Sequence, residues 1–229
     1  MQSYDNLTEI IINFPLGFSG DISKNYETTW SSASKGRFIK CNRDGQIEYV
    51  HEGDAKSNIR SESSIPSSVK CVCIEAKVES YTYPGDLDIG LITSAVGNDS
   101  LIGREKSVHG IGYCGHQGII YHSGLVVGPV EKIKNGDTLG CELKRIAHKG
   151  SVYNICRFFR NGRYIGPPRC LEDAEYFPAL AFNSEPSTVH TNLVYCNTNL
   201  DFLVDVERRR TRTTSRRSNL VDVKGINNF

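Results

Sequence analysis

Cys71-Val-Cys-Ile-Glu-Ala-Lys-Val-Glu79 is the stretch whose spacing decides the fold class. Its even positions, Val72, Ile74, Ala76 and Val78, are apolar, and the odd positions turn polar. Successive side chains of an extended chain point to opposite faces, so this spacing lays one face of a strand on a core. The same period of two recurs downstream. Leu87, Ile89 and Leu91 follow the turn-rich Tyr83-Pro-Gly-Asp86, and Leu139, Cys141 and Leu143 follow Asn135-Gly-Asp137. Cys156-Arg-Phe-Phe-Arg160 then runs into Asn161-Gly162. Both central residues of a type I′ turn need positive φ, which Asn-Gly tolerates best, so a hairpin is predicted here. Helical periodicity is nearly absent. Strands at short spacing between Gly, Pro, Asn and Asp clusters predict an all-β sandwich or barrel.

With 229 residues the chain is long enough to bury a core without disulfides or metal. Formal net charge is +1, which makes no case for nucleic acid or an acidic membrane as partner of the whole chain. The charge is uneven: from Asp201 onward seven basic residues face four acidic ones, leaving a near-neutral body and a basic end. Eight cysteines fall at 41, 71, 73, 114, 141, 156, 170 and 196. An even count suggests a disulfide framework only in short secreted chains. The first residues carry neither a basic n-region nor an apolar h-region, and no run approaches the roughly 18 apolar residues of a membrane span. The expectation is an intracellular protein whose cysteines are reduced, several of them serving as small apolar core residues.

Two stretches fall outside the strand pattern. Gly53 to Ser68 is polar and serine-rich and reads as a long surface loop. The run Glu207-Arg-Arg-Arg-Thr-Arg-Thr-Thr-Ser-Arg-Arg-Ser218 has too little apolar surface to offset its ordering entropy, so a disordered tail is expected. Its arginines, Arg208, Arg209, Arg210, Arg212, Arg216 and Arg217, fit a nuclear-import patch, a contact for nucleic acid or acidic protein, or a solvated tail.

An ordered series of short motifs goes further than periodicity. Asp88-Ile-Gly-Leu-Ile-Thr-Ser94, His109-Gly-Ile-Gly-Tyr113 and Gly118-Ile-Ile-Tyr-His-Ser-Gly124 resemble successive strands and a hairpin of SPRY domains. Asn135-Gly-Asp-Thr-Leu-Gly-Cys141, Phe158-Phe-Arg-Asn-Gly-Arg163, Tyr176-Phe-Pro-Ala-Leu180 and Val189-His-Thr-Asn-Leu193 continue the series in the family's order. The resemblance covers roughly residues 36 to 195. It implies an antiparallel sandwich of the concanavalin-like jelly-roll kind, with a SPRY domain over 36–200. Residues 1–35 are expected as a lead-in packing on the sandwich, and 201–229 as the flexible basic tail. Each motif also has a structural role: Gly136 makes a turn, Asp137 can cap backbone N–H groups, and Pro178 suits only an edge or a strand start.

Catalytic signatures are missing. There is no Gly-x-Ser-x-Gly elbow, His-Glu-x-x-His or P-loop, and Cys114 with His116 lacks a third group to orient it. Cys71-x-Cys73 and Cys114-x-His116 are too closely spaced for a zinc site. The expectation is a binding module that is not an enzyme and holds no metal or cofactor. The resemblance implies recognition of a short segment of another protein, as adaptor or scaffold, by loops at one rim. On this sequence those loops are Thr93–Ser100 and Phe182–Ser184, with Thr93, Ser94, Val96, Asn98, Phe182 and Asn183 as the peptide-binding residues. Phe182 is expected there as a rigid apolar anchor. The module is expected to be monomeric and cytoplasmic, with the nucleus open to it if the tail is an import signal. A lectin-like carbohydrate-binding sandwich is the rival with the same architecture.

Overall fold

The computed structural model describes residues 29–196 apart from 43, 44, 52, 82–85, 149 and 185. The arginine run and the 201–229 tail therefore lie outside the described residues, as do residues 1–28 of the lead-in. Among the described residues there is no helix. Fourteen strands run in chain order: β1 Trp30–Lys35, β2 Ile39–Cys41, β3 Gln46–Tyr49, β4 Gly53–Ser61, β5 Cys71–Tyr81, β6 Asp86–Ile92 and β7 Gly110–Cys114. They continue as β8 Ile119–His122, β9 Leu125–Pro129, β10 Thr138–His148, β11 Ser151–Arg160, β12 Arg163–Leu171, β13 Phe177–Ser184 and β14 Ser187–Cys196.

The strands form two seven-stranded antiparallel sheets, ordered β1-β4-β13-β6-β7-β8-β9 and β12-β11-β10-β5-β14-β3-β2. The apolar rows read from the sequence meet between them. Val72, Ile74, Ala76 and Val78 of one sheet face the same core as Leu87, Ile89 and Leu91 of the other, and each is at most 1 % exposed. Leu139, Cys141 and Leu143 complete the second sheet's inner row. The all-β sandwich is thus the observed architecture.

The two turn motifs interlock. Asn161 and Gly162 have φ of 50° and 74°, as their hairpin requires. Asp137, beyond the Gly136 turn, accepts hydrogen bonds from Lys134 N, Arg160 Nε and Asn161 Nδ2, each at 2.7 Å. Burial alone would raise the Asp137 pKa, but the hydrogen bonds from Arg160, Asn161 and Lys134 outweigh it and hold the carboxyl below its usual value. Pro178 is the second residue of β13, one residue before pairing with β4 begins at Ala179, so its missing N–H costs no bond on that side.

One sequence expectation is corrected. The polar stretch from Gly53 is not a surface loop: its first nine residues are β4, bonded between β1 and β13. Ser57, Ile59 and Ser61 turn one way and Lys56, Asn58 and Arg60 the other, with 57, 58, 59 and 61 buried. Small hydroxyls occupy an inner row here because neighbours come close; a Cβ on Gly36 would lie 2.5 Å from Ser57 Oγ. Beyond β4 the chain does leave the sheet, yet Ile65 and Val69 plug the core. Arg145 holds that segment by donating to the carbonyls of Ile65, Pro66 and Val69.

None of Cys41, Cys71, Cys73, Cys114, Cys141, Cys156 and Cys170 is in a disulfide. Cys141 and Cys156 lie side by side in the core with their sulfurs 3.5 Å apart, outside bonding distance. Burial pushes the Cys141 thiol up, so it stays protonated. The melting temperature is therefore expected to be the same with and without dithiothreitol. A marked drop under reductant would show that a disulfide supports the fold.

Candidate interaction rim

β6 ends at Ile92, and the chain does not turn straight into β7. It folds back over the outer face of the first sheet, burying Val96, Leu101 and Ile102 against Ile92, Phe177, Ala179 and Ala181 in a second small apolar cluster. Glycines make room for this layer. A Cβ on Gly112 would lie 2.7 Å from Ile102 Cγ2, and one on Gly90 only 2.0 Å from the carbonyl oxygen of Ile111. The far half of the segment is anchored by Arg104, which reaches the buried carboxylate of Asp88 at 3.2 Å and lies 4.9 Å over the Tyr121 ring.

The near half, Thr93–Ser100, hangs on Asn58. The Asn58 amide nitrogen donates to Gly97 O at 2.6 Å and Ser100 O at 2.9 Å. Its backbone N–H donates to Asn98 O at 2.8 Å, and its carbonyl accepts from Gly36 N at 2.7 Å. The fully buried side chain thus ties the 97–100 loop to the middle of β4, and the backbone of the same residue holds the 36–38 turn. Two local turns stiffen the loop further, with Val96 N bonded to Thr93 O and Ser100 N to Gly97 O, both at 3.2 Å. Ser94, Ala95, Gly97, Asn98 and Asp99 remain exposed.

The structure brings some of the expected site residues together and separates others. Ser94 and Asn98 are exposed on the loop, Thr93 is half-buried at its start, and Asn183 is half-buried on the sheet beneath. Asn183 pairs with Lys56, two residues along β4 from Asn58 and on the same outer face. Val96 points down and is 6 % exposed, a plug under the loop. Phe182 is a correction. It belongs to β13, not to a loop, and it alternates with Ala181 onto the opposite, inner face. There it is 0 % exposed, stacked on Tyr49 with the ring centroids 5.8 Å apart. A side chain on the core face of a central strand cannot meet a partner.

Sequence reasoning does not find Asn58, because the polar stretch that holds it reads as a loop. The alternation Ser57-Asn58-Ile59-Arg60-Ser61 carried the signal in residues too polar to stand out. Sequence reasoning does not find the neighbouring turn either. Arg37 lies 4.5 Å over the Phe38 ring, and Phe38 stacks on His51 at 4.0 Å. Among the described residues no group of three or more His, Cys, Asp or Glu side chains is arranged to hold a metal ion.

No family model matches the chain, and no curated protein matches it in sequence. Solved structures do match in shape. A human SPRY domain superposes with a TM-score of 0.57 at 16 % identity, covering 68 % of this chain and 95 % of its own. The SPRY domain of human HERC1 gives 0.56 at 15 % identity, covering 75 % and 100 %. The PSpry domain of TRIM65 gives 0.51 at 15 % identity, covering 76 % and 93 %. The likeness is one of fold.

Proposed function

We propose that this chain, whose fold is that of SPRY domains, is a protein–protein interaction module that captures a short segment of a partner at the rim around Asn58. SPRY folds commonly serve protein–protein interaction. The observation that carries the reading is the tethered Thr93–Ser100 loop. Its backbone is pinned by a buried asparagine while Ser94 and Asn98 stay exposed above a sheet whose core does not need them. A loop held in place before binding avoids most of the ordering cost of association. The exposed Asn98 carries an amide that both donates and accepts, which suits the backbone of an extended peptide, and Asn183 lies half-buried on the outer face of the sheet. The module acts as adaptor or scaffold, by binding and without catalysis, and it works in the cytoplasm or nucleus.

The test compares wild type with Asn98→Ala/Asn183→Ala as tagged baits, with captured proteins quantified by mass spectrometry. At least one captured protein should fall about tenfold, the equivalent of about 1.4 kcal/mol, with an unchanged melting curve. Undiminished capture removes this rim. Binding to a glycan array with no protein loss would replace the reading with the lectin.

A further inference from the structure

The partner's chemistry is written beside the loop, in cations held without counter-ions. β4 turns Lys56, Asn58 and Arg60 to the same outer face. Asn58 is consumed by the loop, which leaves Lys56 and Arg60 flanking it. Arg60 lies 4.5 Å over the Phe177 ring and donates from one terminal nitrogen to Ser34 Oγ at 3.2 Å. Arg37, on the turn that Asn58 also holds, is stacked in the same way on Phe38. Lys56 is exposed. Among the described residues none of Arg37, Lys56 and Arg60 pairs with a carboxylate, although the exposed Asp54 is two residues from Lys56 and the exposed Asp99 lies on the tethered loop. By contrast, Arg104 pairs with Asp88, and Arg160 with Asp137 and Glu131.

Stacking fixes a guanidinium through its face and leaves its in-plane N–H groups directed outward, the geometry that takes a carboxylate. The electrostatic cost of setting two like charges, Lys56 and Arg60, on one face of β4 is offset when an oppositely charged partner arrives. We propose, resting on the interaction-module reading above, that the rim recognises an extended acidic segment of a partner protein, with carboxylates facing Lys56 and Arg60. Four residues of strand span about 13 Å. An extended partner lying along β4 therefore places its two acidic residues four positions apart, with uncharged residues between them facing Asn98.

The test uses the full chain and a fluorescein-labelled peptide, Gly-Thr-Glu-Thr-Gly-Thr-Glu-Thr-Gly, read by anisotropy. Three counterparts carry Gln, Lys or phosphoserine in place of Glu. The Glu peptide should bind about tenfold more tightly than the Gln peptide, and raising salt from about 50 to about 250 mM should weaken it severalfold. Lys56→Glu/Arg60→Glu should abolish that preference and favour the Lys peptide, with a melting curve close to wild type. Equal binding of Glu and Gln peptides, or no binding of the Glu peptide at millimolar concentration, overturns the proposal. Binding of the phosphoserine peptide alone overturns it in favour of a phosphorylated partner. The capture experiment separates this inference from the reading it rests on. Loss with Asn98→Ala/Asn183→Ala but not with the charge reversal rejects the acidic segment and keeps the rim, whereas loss with neither rejects both. Loss with the charge reversal, whatever the amide variant does, supports the acidic segment.

Discussion

Phe182→Ala is expected to lower the stability of the whole sandwich by about 3–5 kcal/mol, the range for truncating a buried phenylalanine. The ring is fully buried on the inner face of β13, stacked on Tyr49, with Leu180 in the same row. Removing it leaves a cavity between the two sheets, lined by residues from both. That strand is also central, between β4 and β6, so it cannot slide to fill the gap without losing ladder bonds on two sides. Urea unfolding followed by circular dichroism measures the loss. Partner capture by this variant should fall only as far as the folded fraction falls. A loss of stability under about 1 kcal/mol would place the ring outside the core and return it to the rim.

Asn58→Ala is expected to cost about 2–4 kcal/mol and to loosen one loop more than the rest of the fold. Two carbonyls, Gly97 O and Ser100 O, would lose their donor, and a buried acceptor without a partner costs about 1–3 kcal/mol. The backbone bonds from Asn58 N to Asn98 O and from Gly36 N to Asn58 O do not depend on the side chain, so the loop should loosen without leaving. Asn58→Asp should be worse at neutral pH, because a carboxylate would face the two carbonyl oxygens with no proton to offer. Hydrogen exchange reads the local effect. Amides of Val96 and Ser100 should exchange faster in Asn58→Ala while those of β10 and β11 track global stability. Unchanged exchange in Thr93–Ser100 would show that the loop is held by its apolar plugs alone. Because neither substitution touches an exposed group of the rim, lost capture in Asn58→Ala with intact global folding would tie binding to the loop's order.

The sequence by itself determined the class of fold and its inner rows. Val72, Ile74, Ala76 and Val78 stand out because the period of two is carried by residues that water expels, so pattern and burial coincide. Asn161-Gly162 was legible for a different reason: few other pairs tolerate positive φ twice in succession. Tertiary structure alone decided the rest. Ser57 and Asn58 are buried by what lies over them and not by their own hydrophobicity, so a polar strand looked like a loop. Phe182 was legible as a large apolar residue at the end of a motif, but not as facing inward, because one position along a strand exchanges core for surface. Asn98 and Asn183 are 85 positions apart in the chain. Only the antiparallel pairing of β13 with β4, and the bond from Asn58 N to Asn98 O, sets both beside one stretch of β4.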